Sequence, residues 1–188
     1  MNLERAPVGV VPLPREAEAL LARLRAPARL VAHLTLVHSS AAKLVDRLSE
    51  AWPCLEVDRA SVLLGAAVHD VGKIVHIEEL TGSGKAHEAA GEALLLREGF
   101  APSVARLART HGRHDAEGDL AIEGLMVILA DAVWKGARRP AVEEKLCQEI
   151  ARACHEEAWR VCACLDEILA ELTTGAEERL AWHLAHSA

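Results

Sequence analysis

The chain has no tyrosine, one phenylalanine and four tryptophans, which starves a β-sheet of the aromatic residues that favour strands. Alanine and leucine dominate instead, and both favour helix, so the expected fold class is all-α, a compact bundle of seven or eight helices. No apolar run reaches the roughly 18–20 residues that a membrane span needs, and the N-terminus lacks the charged, apolar, small-residue order of a secretory signal. A cytoplasmic location without a membrane partner is therefore expected. Positive charge is scarce as well: 21 Lys and Arg against 28 Asp and Glu give a formal charge of −7 over 188 residues. That balance excludes the global basic excess by which duplex or membrane binders attract partners at long range, while leaving room for a local basic patch.

Hydrophobic residues make up 51% of the chain, which rules out a disordered tail and suits one core, so residues 1–188 are read as one domain. The five cysteines, Cys54, Cys147, Cys154, Cys162 and Cys164, are odd in number and four of them crowd one C-terminal segment. Reduced, buried thiols are expected rather than a disulfide framework. Cys162 and Cys164 lie two apart, point to different sides of a helix and make a poor zinc clamp.

Residues 1–13 carry Pro7, Gly9 and Pro12 among valines and read as an extended lead-in. Pro14 opens a helix Arg15–Arg25, and Pro27 opens another running from Ala28 to about Ala51, where Trp52-Pro53 breaks it. Asp58 is placed to cap Arg59–Asp70. Further helices are expected at Ala86–Glu98, Pro102–Arg113, Leu120–Ala137 and Ala141–Leu172, with a short one from Ala176; no internal repeat or long linker divides them.

The sharpest chemical signal is His69-Asp70, which closes the apolar run Val62–Val68. A histidine and a carboxylate at the inner end of a buried helix are costly unless paired or bound to a cation. Alone the dipeptide is weak evidence, since Asp70 could simply orient a neutral His69. His33 shifts the balance, because Val37, Ala41 and Leu44 follow at +4, +8 and +11 and place it on an apolar stripe. His38 is about 140° further round the same helix and reads as a flanking residue. Asp131 lies within the apolar stretch Leu125–Trp134, where Lys135 one turn later is its simplest partner. Together His33, His69, Asp70 and Asp131 offer two imidazoles and two carboxylates without a thiolate. Such a shell suits Mn²⁺, Mg²⁺, Fe²⁺, Co²⁺, Ni²⁺ or Zn²⁺, with positions left open for water and a substrate oxygen.

The pattern His33…His69-Asp70…Asp131 resembles the HD-domain metal-dependent phosphohydrolase superfamily. The resemblance spans most of residues 28–140, which become the metal-site core, with 141–188 as covering helices. It implies a helical bundle that binds a divalent metal through those four residues. His87 and His111 match the longer pattern H…HD…H…H…D, which goes with a second metal or with contacts to substrate phosphate. His114, three residues beyond His111, competes with it for the inward position. Lys73, just after HD-x-G, is common in the superfamily as a phosphate contact. The resemblance thus casts Asp70, Lys73, His87 and His111 as the catalytic set.

Thr81-Gly82-Ser83-Gly84-Lys85 looks like a phosphate loop, yet Glu79 stands where a Walker motif needs glycine and Ala86 where it needs Ser or Thr. A flexible lid ahead of the His87 helix is the better reading, with Lys85 and the helix N-terminus available to an anion. Lys135, Arg138 and Arg139 bring further positive charge close to Asp131, as an anionic substrate requires, although cations also favour helix C-termini. His76 reads as a residue of the entrance at most; His155, His183 and His186 have no chemical partner to assign.

These residues predict metal-assisted hydrolysis of a phosphate ester, mono- or diester, using one or two ions. The expected substrate is a small phosphorylated molecule, a nucleotide before an RNA end, because few rings are present to read RNA. Two alternatives stand beside it: a di-iron oxygenase on the same scaffold, and a non-catalytic module that senses a nucleotide.

Overall fold

Proline sets where four of the helices begin. Helix α1 (Arg15–Arg23) follows Pro14 and α2 (Ala28–Ala51) follows Pro27, while α5 (Pro102–Thr110) and α7 (Pro140–Cys154) carry proline as their first residue. The fixed φ suits helix entry, and the missing N–H would have no partner in the first turn. The structure, a computed structural model, describes residues 7–116 and 118–186. Between the proline-led helices lie α3 (Arg59–Val68), two short 3-10 segments η1 (Val71–Ile74) and η2 (Ile77–Leu80), α4 (Ala86–Arg97) and α6 (Ile122–Val133). Helices α8 (Ala158–Thr173) and α9 (Ala176–Ala185) complete the order. The described residues form nine α-helices and no strand, so the all-α expectation holds and the expected count is exceeded.

The extra helix comes from the segment read as one helix, Ala141–Leu172. It is two helices that pack on each other, parted at His155, which takes the left-handed conformation at φ 54°. Several other ends fall short of expectation by two to four residues, as at Arg23, Val68, Thr110 and Val133. Of the expected lead-in, residues 1–6 lie outside the described residues; the rest has no regular structure and is held by the Val11 N–H donating to Ser39 Oγ at 3.1 Å. Asp58 caps α3 as expected, accepting from the Ser61 N–H at 3.0 Å.

Helix α2 is the spine, with fifteen of its 24 residues buried against α3, α6, α8 and α9. Two apolar clusters meet along it. One gathers α6, α7 and α8 with residues of α2 from Ala32 to Leu48; the other gathers α1, α4 and α5 with Leu30, Val31 and Leu34 of α2. His33 stands between Ala32 of the first cluster and Leu34 of the second, and Ala66 and Val68, just before His69, divide in the same way. The polar residues thus sit at the seam.

Gly72 brings η1 against α4. A Cβ there would overlap the His87 carbonyl oxygen and stand 2.6 Å from the Gly91 nitrogen, so only glycine permits this backbone approach. Cys54, after α2, and Cys154, at the end of α7, are joined as a disulfide with Cα atoms 5.7 Å apart. This overturns the expectation of five reduced thiols: the fold brings together two cysteines 100 residues apart, which spacing along the chain does not reveal. Cys147, Cys162 and Cys164 are free.

Candidate metal centre

Five elements deliver polar side chains to one place. His33 comes from the middle of α2, and Asp131 from the last turn of α6. His69 and Asp70 follow the end of α3, His111 follows the end of α5, and His87 is the second residue of α4. His69, Asp70, His87 and His111 are buried, His69 completely.

The two histidines at helix ends are oriented in the same way. His69 Nδ1 donates to the Ala66 carbonyl at 2.9 Å, and His111 Nδ1 donates to the Ala108 carbonyl at 2.8 Å. These carbonyls belong to the last turn, where the helix itself supplies no partner. His87 Nδ1 donates to Glu79 Oε2 at 2.5 Å. In the neutral form each of the three rings therefore keeps its lone pair on Nε2.

All three Nε2 atoms, with that of His33, converge on Asp70. His33 Nε2 lies 3.1 Å from Asp70 Oδ2, 3.4 Å from Asp131 Oδ1 and 3.3 Å from His69 Nε2. His87 and His111 Nε2 are each 3.2 Å from Asp70 Oδ1 and 3.2 Å from each other. Despite those distances, Asp70 Oδ1 makes no well-formed hydrogen bond among the described residues. A buried carboxylate oxygen without a partner, beside lone pairs that face one another, is a costly arrangement that a cation resolves. Two ligand sets are close enough to do so: His33, His69 and Asp131, and His69, Asp70 and His111, each with ligand atoms within 4.8 Å of one another. The nitrogen and oxygen donors suit a first-row divalent metal or Mg²⁺.

Electrostatics follows from burial and proximity. Burial opposes charge on Asp70, but the surrounding imidazoles of His69, His111, His33 and His87 outweigh it and hold the carboxyl well below its usual range. Burial likewise opposes charge on Asp131, and His33 and Lys135 outweigh it and lower its pKa. His69 is pushed down to about 3, chiefly by burial and only partly restored by Asp70, so it is a neutral donor at neutral pH. His111 moves the other way, since its contact with Asp70 more than offsets burial.

Beside these groups opens a cavity of 580 Å³ whose wall includes His33, Asp70, His87, His111 and Asp131 together with Lys73, Lys85, Lys135 and His114. Lys73 Nζ donates to Asp70 Oδ2 at 2.6 Å and Lys135 Nζ to Asp131 Oδ2 at 3.4 Å, so the simple partner expected for Asp131 is present alongside the histidines. His111 takes the inward position and His114 lines the wall. Arg138, expected to contact substrate, does not line this cavity: its guanidinium is held by Glu143 at 2.8 Å and Asp166 at 2.7 Å, because the start of α7 and the middle of α8 bring those carboxylates closer. Arg139 donates its backbone N–H to Glu143 and is likewise absent from the wall. His38 donates from Nδ1 to the Leu63 carbonyl at 3.0 Å and ties α2 to α3 away from the centre, and His76 pairs with Glu78.

Three residues of the site gave no signal in the sequence. Glu79 and Glu88 are buried there, Glu79 against His87 and Glu88 on the cavity wall. His183, on α9, stands with its ring 5.3 Å from Trp134 and 6.1 Å from His33. No spacing rule joins a residue of the last helix to one of the second.

A family model described as the HD domain matches residues 30–159. No curated protein and no solved structure gave a significant match to the chain. The matched span covers more than two thirds of the 188 residues and contains His33, His69, Asp70, His87, His111 and Asp131, so the chain belongs to the HD-domain family.

Proposed function

We propose that the protein is a divalent-metal-dependent phosphohydrolase acting on a small phosphorylated substrate, a nucleotide being the first choice. The observation that carries this reading is the pairing of two sets of facing imidazole nitrogens around Asp70 with a cavity wall bearing three lysines. His33, His69, Asp70 and Asp131 would hold the first ion, and His87 and His111, sharing Asp70, a second. A divalent ion at this place supplies Lewis acidity toward a phosphoryl oxygen and makes water more acidic.

The chain's own groups do the rest. Lys73, Lys85 and Lys135 place ammonium groups on the wall where phosphate oxygens would lie, and their charge offsets that of the ester. Lys73 also fixes Asp70 through Oδ2, leaving Oδ1 toward His87 and His111. Apart from imidazoles and two glycines, the wall carries only charged side chains. A nucleotide therefore enters phosphate first, with its base directed outward.

The test is metal-depleted protein assayed against a panel of phosphate mono- and diesters, with Mn²⁺, Mg²⁺, Co²⁺, Ni²⁺, Fe²⁺ or Zn²⁺ restored in turn. Phosphate release that returns with a divalent ion and disappears in Asp70→Ala supports the proposal. Turnover that survives in Asp70→Ala refutes the assigned centre, and oxygen uptake by an iron-loaded protein that releases no phosphate replaces hydrolysis with oxygenase chemistry.

A further inference from the structure

Glu79 has a place in this molecule that its sequence position does not suggest. It lies within the short 3-10 segment η2, yet its carboxylate reaches the first turn of α4. There Oε1 accepts from the Ala86 N–H at 3.1 Å and Oε2 accepts from the His87 N–H at 3.0 Å. Helix α4 has no side-chain cap of its own, so Glu79 satisfies two of its orphan donors from seven and eight residues away. The same Oε2 also receives the His87 ring through Nδ1. The loop is built to admit Glu79: a Cβ on Gly84 would overlap its carboxylate.

We infer that Glu79 is the positioning residue for His87, fixing the tautomer with its proton on Nδ1 and aiming the Nε2 lone pair at Asp70 and His111. The inference rests on the metal-centre reading only for its consequence, which is that Glu79 governs the half of the centre formed by His87 and His111. An ionised carboxylate can only accept, so Nδ1 must donate and Nε2 is left to bind a cation. Among the described residues Nδ1 has no other partner, while Nε2 lies 3.2 Å from His111 Nε2 and 3.2 Å from Asp70 Oδ1, the latter without the geometry of a hydrogen bond. The ring belongs to the second residue of α4, and both of its backbone and side-chain N–H groups meet one oxygen. Ring plane and helix entry are thereby locked together.

Glu79→Ala removes the acceptor that holds the ring, and the tautomer of His87 reports that loss separately from helix capping. With no carboxylate at Nδ1, nothing holds the proton there, and Nε2, 3.2 Å from Asp70 Oδ1, takes it up. Nitrogen-detected NMR of the metal-free, full-length protein reads this directly. The wild type is expected to show the Nδ1–H form of His87, and Glu79→Ala a shift to the Nε2–H form, with the helical far-UV spectrum retained. Gly84→Ala, which displaces the carboxylate without altering it, is expected to blur the same assignment if Glu79→Ala does not fold.

Mn²⁺ titration by calorimetry is the second readout, with an expected loss of about 10- to 100-fold in affinity for Glu79→Ala. The same substitution in a His87→Ala background is expected to cost nothing further. An unchanged His87 tautomer overturns the inference, as does an equal loss of affinity in the His87→Ala background, which would mark a general structural effect. A wild type that keeps the Nδ1–H tautomer but binds no Mn²⁺ supports the positioning role while sinking the metal-centre reading.

Discussion

The Nε2 atoms of His33 and His69 stand 3.3 Å apart, and His69 has already committed its Nδ1 proton to the Ala66 carbonyl. With His69 neutral, one lone pair points straight at the other ring. A divalent ion relieves that contact and binds only the folded chain, so it stabilises by mass action, about 2.7 kcal/mol at a hundredfold excess over Kd. Calorimetric melting with and without Mn²⁺ is expected to show a rise in Tm of several degrees for the wild type. His33→Ala, a half-buried change at the open side of the centre, is expected to keep the fold and lose the rise; an undiminished rise would place the ion elsewhere.

Gly72→Ala reaches the centre without touching a ligand. The added methyl would overlap the His87 carbonyl oxygen, and both neighbours are backbone, so neither can swing away. Pushing η1 from α4 separates Asp70 from His87, which are now 3.2 Å apart. Overpacking of this kind costs roughly 1–3 kcal/mol or more. Urea unfolding is expected to show that loss, and Mn²⁺ affinity should fall with it. A variant that is destabilised yet binds Mn²⁺ normally would mean that the Gly72 contact supports the fold alone.

Arg179 joins the C-terminal helix to the site from behind. Its guanidinium donates to the carbonyls of Trp134 at 2.6 Å, Val133 at 3.2 Å, Leu172 at 2.9 Å and Thr174 at 2.8 Å, drawing the ends of α6 and α8 together. These carbonyls end α6 and α8 or follow directly after them, and of the four Val133 also accepts from the Gly136 N–H at 3.1 Å. Arg179→Ala strands several of them at once, and a loss of about 3 kcal/mol in unfolding free energy is expected, against about 1 kcal/mol for removing the Asp58 cap on α3. Similar losses for the two variants would show that water replaces the guanidinium.

Much of this arrangement was legible because burial makes polar residues conspicuous. His33 on an apolar stripe, His69-Asp70 after an apolar run and Asp131 inside another each stand out by what it costs to bury them. His87 and His111 lie on less apolar helices, and only the family pattern drew them in. The break between α7 and α8 was hidden by phase: Ile150 to Val161 is 11 residues, close to three helical turns, so the apolar stripe continues as though the helix did. Neither glycine nor proline marks the turn at His155. Glu79 was hidden for another reason, since it acts on backbone N–H groups, which every residue but proline carries.

His183 closes the back of the site and makes its own prediction for pH. Burial, reinforced by the nearby charges of His33 and Arg29, pushes it down to about 4, against 6.5 for the free side chain. Trp134 also faces it and brings no charge. Between those two values the unfolded chain takes up a proton that the folded chain refuses. The contribution of His183 to stability is therefore fully present above about pH 6.5 and is lost as pH falls toward 4. His69, at about 3, adds a slope of the same sign, but it is present in wild type and variant alike and cancels in their difference. Urea unfolding of wild type and His183→Leu, with chelator present at pH 7, 6, 5 and 4.5, is expected to show the variant losing less stability on acidification. Parallel losses across that range would mean that His183 is protonated as readily in the folded protein as in the unfolded chain, and that its ring is not sealed against Trp134 and His33.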